Sequence, residues 1–188
     1  VRVLGATPQA VSAAELKRAR HLPDAGDDDD TINAYLMAAQ AVVETACACP
    51  MGQRTAVFTV VAQGWARWWF PVRPVVSIDK IEVSDGRGTL TDLAIDRLQL
   101  WSAWHDPQLL LSGVPGIVSG AELQITAVVG HDVGDWPLQM TQAVKLIAGE
   151  WYEAGIAPEG AALSELSFAA KNLIRQVRYL RPVEWGAV

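Results

Sequence analysis

Cysteine is almost absent from this chain, and the two it has, Cys47 and Cys49, are separated by a single residue. That spacing is too close for an easy disulfide, so the expectation is two buried or half-buried thiols. Histidine is nearly as scarce, with His21, His105 and His131 alone. With no Cys-x-x-Cys and no close His pair, a metal centre lacks its usual ligand spacing, and no metal or cofactor is expected. No apolar run approaches the ~20 residues that a membrane helix needs, because Gly, Pro, Gln or a charge interrupts each one. Residues 1–9 hold one Arg and no apolar stretch of signal-peptide length, which leads to the expectation of a soluble protein made in the cytoplasm.

Positive charge is also in short supply. Asp and Glu number 21 against 15 Lys and Arg, a formal net charge of −6, whereas a broad grip on nucleic acid needs clustered cations to neutralise phosphates. Enzyme signatures are missing as well. The glycine-rich segment 113–120 lacks the Gly-Lys-Ser/Thr ending of a phosphate loop and leads into a strand, and there is no Gly-x-Ser-x-Gly elbow. His105-Asp106 and His131-Asp132 resemble the His-Asp pair of metal phosphohydrolases, yet both sit beside turn signals at strand ends and read as solvated loops. No catalytic residue is assigned and no enzyme is expected.

What is present is the material of a folded core. The chain has 188 residues, is 51% hydrophobic and 19% charged, and a single domain of that length buries roughly 70% of its unfolded surface. Its pattern reads helices, then strands, then helices. Ser12 and Glu15 have the spacing of a capping box and start a short helix over about 12–20. The acidic run Asp27–Asp30 opens a second over about 29–47, where carboxylates face the positive end of the helix dipole. Ile32, Tyr35, Leu36, Ala39, Val43 and Ala46 give that helix one apolar face. Between 55 and 130 the period changes to short β-branched and aromatic runs broken by turn pairs such as Asp85-Gly86, as in an antiparallel sheet of five or six strands or a small β-sandwich. Helical spacing returns over about 137–154, with Asp135 as N-cap and Pro137 in the first turn, and again over about 162–180. Pro182 ends that helix and leaves a tail over 182–188. The fold class is α+β, organised as one domain.

Two features of the sequence ask for a function. Eight tryptophans are present, among them Trp65, Trp68 and Trp69 in one cluster and Trp101 and Trp104 in another. Packing in the core or at a subunit interface is the better account, because buried Trp supplies large contact area and is enriched at interfaces. The alternative is a stacking platform for single-stranded nucleic acid in a small binding module, which the acidic balance weakens. The second feature is charge asymmetry. Asp24 and Asp27–Asp30 form an acidic run, while Lys171, Arg175, Arg178 and Arg181 make the last helical segment basic, as in a docking tail.

Taken in order, several segments resemble the head-tail connector, or adaptor, proteins of long-tailed bacteriophages and of phage-derived gene transfer agents. They are Val11-Ser-Ala-Ala-Glu-Leu-Lys17, the Asp-rich entry into Asp30-Thr-Ile-Asn-Ala-Tyr-Leu-Met-Ala-Ala-Gln40, and Val43-Glu44 near that helix's end. Trp69-Phe-Pro-Val-Arg-Pro-Val-Val-Ser-Ile78 and Ile81-Glu-Val-Ser-Asp-Gly86 match a Pro-flanked strand and a turn. Leu123-Gln-Ile-Thr-Ala-Val-Val-Gly130, the helix from Trp136 to Glu153, and Leu173-Ile-Arg-Gln-Val-Arg-Tyr179 match the closing strand and helices. The likeness runs from about residue 11 to 181, and the chain departs from it over 56–69 and 92–111.

The resemblance implies a structural protein of a virion or phage-like particle, placed at the head-tail junction after assembly in a bacterial cytoplasm. Such proteins form a ring, usually of twelve copies, between the portal protein and a stopper or tail-completion protein. DNA passes through the ring without sequence-specific binding, and no membrane is involved. On that view Arg178, Tyr179, Arg181 and Trp185 form a C-terminal anchor on the portal. Trp65, Trp68, Trp69, Trp101 and Trp104 are candidates for contacts between subunits.

Overall fold

The computed structural model describes residues 1–5, 7–23, 26–63, 67–94, 99–102, 106–110, 117, 119–155 and 166–182. They build an α+β protein with a five-stranded sheet, a three-stranded sheet and four α-helices. The chain divides into two compact units, each assembled from separated stretches of sequence. One contains the start of the chain, residues 53–130 and the C-terminal segment from Leu180. The other contains residues 7–52 and 131–179.

The first unit is the β unit. Its large sheet has the order β1 (Arg2–Leu4), β2 (Arg54–Val61), β8 (Glu122–Val129), β4 (Val75–Ser84) and β5 (Leu90–Asp92), antiparallel at every pairing. β8 lies at the centre. Its burial alternates without a break: Leu123, Ile125, Ala127 and Val129 point inward and the residues between them outward. This is the period-2 pattern of a strand with one covered face. β4 alternates imperfectly because its register against β8 shifts between Val75 and Ser77 and again between Ile78 and Lys80. Each such shift inserts an unpaired residue and turns the following side chains to the other face. The turn expected at Asp85-Gly86 forms. The Asp85 carboxylate accepts the backbone N–H groups of Arg87 (2.7 Å) and Thr89 (3.0 Å), and these bonds hold its carboxyl below the usual carboxylate range.

The smaller sheet has the order β3 (Arg67–Trp69), β7 (Gln108–Leu110) and β6 (Gln99–Trp101). Its inward residues Trp68 and Leu109 share one core with Phe58, Ile81, Ile125 and Ala127 of the large sheet. Phe58, Trp68 and Phe70 meet edge to face at 4.8–6.1 Å between centroids, the arrangement that aromatic quadrupoles favour. The eight strands exceed the five or six expected because β1 and β5 are three residues each, too short to leave a periodic signal.

The second unit is helical: α1 (Ala13–Arg20), α2 (Asp29–Cys47), α3 (Leu138–Ala154) and α4 (Phe168–Val177). A 3-10 turn, Gly26–Asp28, precedes α2. The capping box of α1 is complete: the Ser12 hydroxyl accepts the Glu15 N–H, and the Glu15 carboxylate accepts the Ser12 N–H at 2.8 Å. α2 buries the expected face, including Ile32, Leu36, Ala39 and Val43, against Met140, Val144 and Ile147 of α3. Two described polar side chains of this unit are buried, Lys17 and Gln40. Gln40 accepts the Ala10 N–H at 2.9 Å and donates to the Pro8 carbonyl (2.9 Å) and the Glu44 carboxylate (3.1 Å), so its buried amide is satisfied. Cys47 and Cys49 are both buried and unbridged.

Two expected details differ. Asp135 is not the N-cap of α3; Pro137 is, and no side chain caps the helix. The Asp135 N–H is instead engaged by the Asp132 carbonyl in a turn. The last helix ends at Val177, ahead of Pro182, because Arg178 turns extended (ψ 126°) and the Tyr179 N–H bonds the Cys47 carbonyl at 2.8 Å. The start expected near residue 162 lies outside the described residues.

These packings predict two costs of different size. Ile125→Ala empties a fully buried site and should lower stability by about 2–5 kcal/mol, whereas Ser12→Ala should cost about 1 kcal/mol, both read from chemical denaturation. The Ser12 backbone bond, the largest influence, lowers the Glu15 pKa. A depressed carboxyl contributes stability above its unfolded pKa and loses it as pH falls through the folded value. The stability contributed by the Glu15 carboxylate should therefore fall away on acidification through the carboxylate range, and Glu15→Ala should remove that pH dependence.

Candidate functional site

Two surfaces carry the residues singled out from the sequence. The first is the outer face of the small sheet. Strand register places Trp69, Gln108 and Trp101 in one row across β3, β7 and β6, and Arg67, Leu110 and Gln99 in the next. Trp101 is 46% exposed and Trp69 half-buried. The Arg67 guanidinium lies 5.8 Å from the Trp69 ring centroid and 3.4 Å from the Gln108 amide oxygen. Trp68 alternates to the opposite face and is only 3% exposed, packed on Phe58 and Phe70. Its area is taken up inside the β unit, so it offers a neighbour or a nucleic-acid base no free ring. Trp65 and Trp104 lie outside the described residues.

The second surface is the C-terminal segment. α4 starts at Ser167, whose hydroxyl accepts the Ala170 N–H. Ala170 and Ile174 are buried, while Lys171, Arg175 and Arg178 are exposed. Together with Thr45 and Ala46 near the end of α2, and with Phe168, these cations line an open groove of about 460 Å³. Phe168 is 78% exposed. Tyr179 is buried, unlike Arg178 before it and Leu180 after it. Arg181 is exposed and its guanidinium stands 5.4 Å from the Trp68 ring centroid, within the β unit. Trp185 lies outside the described residues. The sequence reading named Lys171, Arg175 and Arg178 but passed over Phe168. The four stand at helical spacing (i, i+3, i+7, i+10) on one stripe, a signal that was legible.

At the other end of α2 the acidic run is partly engaged. Asp29 pairs with Lys17, and Asp28 accepts the Tyr152 hydroxyl at 2.9 Å. That hydrogen bond, the largest influence, raises the Tyr152 hydroxyl's pKa. Asp30 is exposed.

Chemistry has little to work with. Among the described residues no three His, Cys, Asp or Glu side chains gather as a metal site. Cys49 Sγ lies 3.3 Å from His131 Nε2, with the thiol buried. No described helix is long and apolar enough to cross a membrane.

No protein-family model matches the sequence, and neither does any curated protein. Solved structures do. A chain in the neck of an empty gene transfer agent (GTA) particle, computed with C6 symmetry, superposes over 98% of this chain and 97% of its own, with a TM-score of 0.76 and 26% identity. A chain in the virion of a native GTA particle gives the same coverage and TM-score at 25% identity. A third, in the neck of a native GTA particle computed with C12 symmetry, gives the same coverage, a TM-score of 0.74 and 25% identity. The resemblance to the connectors of phage-derived gene transfer agents, read from the order of the segments, is borne out by this full-length structural likeness.

The two faces of the small sheet should respond differently to truncation. Trp68→Ala should cost about 3–5 kcal/mol by thermal or chemical unfolding, and Trp101→Ala should stay within about 0.5 kcal/mol of the parent.

Proposed function

We propose that this chain is a structural component of the neck of a phage-derived, GTA-like particle, and that its copies form an adaptor ring between the portal and the stopper or tail proteins. The observation that carries the proposal is the full-length likeness to neck chains, one of them in a reconstruction with C12 symmetry. The role is geometric and not enzymatic: each copy presents one patch to each neighbour and its ends to the proteins above and below.

A ring needs a heterologous contact, in which two different patches meet and rotation closes the circle. The outer face of the small sheet suits one side. Trp69 and Trp101 offer large, rigid area at low entropy cost, and aromatic side chains are enriched where interfaces are buried. A net charge of −6 also suits a ring through which DNA slides, since carboxylates along a bore repel phosphates; a bore lined by Lys and Arg in an image of the ring would defeat that reading. The nucleic-acid-binding alternative gains nothing from the structure, because one ring of its stacking cluster, Trp68, is buried.

Mixing the chain with the portal protein of the same particle tests the ring. Native mass spectrometry and electron microscopy should find a closed ring seated on the portal, and the double variant Trp69→Ser, Trp101→Ser should keep its melting temperature but lose the ring. A persistent monomer with no affinity for the portal would overturn the proposal.

The C-terminal anchor has its own test. Arg and Trp are frequent interfacial hot spots, and Arg178, Arg181 and Trp185 stand close together in sequence around the buried Tyr179. Deleting residues 182–188 should leave the melting temperature unchanged and abolish attachment to the portal. Loss of folding would instead assign the tail to the core.

A further inference from the structure

The helical unit is electrically polar along its longest helix. α2 has 19 residues, so its two ends stand about 28 Å apart at ~1.5 Å per residue. Its entry carries Asp27, Asp28, Asp29 and Asp30, with Asp24 just upstream. Its exit forms one wall of the groove whose other wall is the α4 stripe Phe168, Lys171, Arg175 and Arg178. The described lining of that groove has three cations and no carboxylate. α4 itself carries Lys171 and Arg175 and not one acidic residue.

Within one copy the two charged ends cannot meet, because the length of α2 separates them. Two copies placed head to tail satisfy both. We infer that the groove between α2 and α4 receives the acidic entry of α2 from a second copy of this chain, with Lys171 and Arg175 facing Asp28 and Asp30. This rests on the ring reading and supplies it with a specific contact between neighbours. The occupant follows from charge and shape. A cationic rim around an apolar floor selects an acidic segment with small apolar residues, and the stretch Leu22-Pro-Asp-Ala-Gly-Asp27 with the three aspartates after it has that composition. The donor patch and the receiving patch differ, as a contact that closes by rotation requires. Salt also enters, because charges meeting at a half-exposed rim are screened over a Debye length.

Charge reversal tests this on the full chain with the portal as template. Variant one is Lys171→Glu, Arg175→Glu; variant two is Asp28→Lys, Asp30→Lys. Arg178 is left intact so that portal attachment through the C-terminal segment is not disturbed. Each variant alone should lose ring yield by about tenfold or more, since like charges then meet at every contact. An equal mixture of the two should recover the ring, because alternating copies restore opposite charges at each junction and misfolded variants could not complement one another. Wild-type assembly should weaken as ionic strength rises from about 0.1 M to about 1 M, which shortens the screening length from about 10 Å to about 3 Å.

Variants that each close rings like the wild type overturn the contact while leaving the ring intact. So does a mixture that stays unassembled when both variants melt at the parental temperature. Where a reversal lowers the melting temperature, Lys171→Gln, Arg175→Gln and Asp30→Asn replace it, and the expected result is a weaker loss in the same direction. A wild-type chain that never forms a ring overturns the ring reading, and this contact with it.

Discussion

The register of one strand governs the β unit. β8 is hydrogen-bonded along its whole length to β2 on one side and to β4 on the other, and its alternation decides which residues of three strands reach the core. A slip of one residue would turn Leu123, Ile125, Ala127 and Val129 to solvent and bring Gln124 and Thr126 inward, which is why a half-buried strand resists slippage. Once β8 is fixed, Phe58 and Ile81 are set opposite Ile125. The floor against which Trp68 and Leu109 of the small sheet pack is then determined. The inward placement of Trp68 in turn fixes the outward placement of Trp69, its neighbour in a strand. The surface tryptophans are thus a consequence of core packing one residue away.

The helical unit depends on a different constraint, the burial of α2 along its length against α1, α3 and α4. Its charge pattern follows from helix physics before any partner is considered. Aspartates at the entry of α2 meet the positive end of its dipole, and Tyr152 and Lys17 from α3 and α1 bind two of them. The basic stripe of α4 has no such intramolecular logic: it faces outward from the buried Ala170 and Ile174, beside an exposed Phe168. Among the described residues its groove holds no carboxylate to pair with these cations.

Much of this was legible in the sequence, and the limits have physical causes. Helices α1 and α2 announced themselves through a capping box, an acidic entry and an apolar stripe, signals that depend on neighbours three or four residues away. β8 did so as a short apolar and β-branched run ahead of Gly130. β1 and β5 did not, because three residues cannot display a period and their pairing is decided by the strands beside them. The uneven burial of β4 has a cause, two shifts of register, that only strand pairing reveals. Asp135 was mistaken for a cap because its side chain has the right chemistry, whereas the chain enters α3 through Pro137 instead. The tryptophans show the deepest limit. Composition leaves core and interface open for all of them, and only the strand's placing of Trp68 inward and Trp69 outward separates a core residue from a surface one. Order of segments carried the family likeness where no single motif could.

Surface aromatics and surface charge do different work in an assembly of the kind proposed. Area buried by Trp69 and Trp101 would supply affinity with little regard to orientation, since apolar contact is non-directional. A basic groove and an acidic helix entry supply direction: opposite charges steer the approach and like charges penalise the wrong pairing. Neither needs to be strong by itself. In a closed ring every copy makes two contacts, and the last one to form is intramolecular, at the effective concentration set by the rest of the circle. A template such as a portal raises that concentration from the first copy onward. Weak, polar, salt-sensitive contacts then suffice once many copies are aligned. A chain with a net charge of −6 and a stripe of cations along α4 has the charge distribution such an assembly calls for.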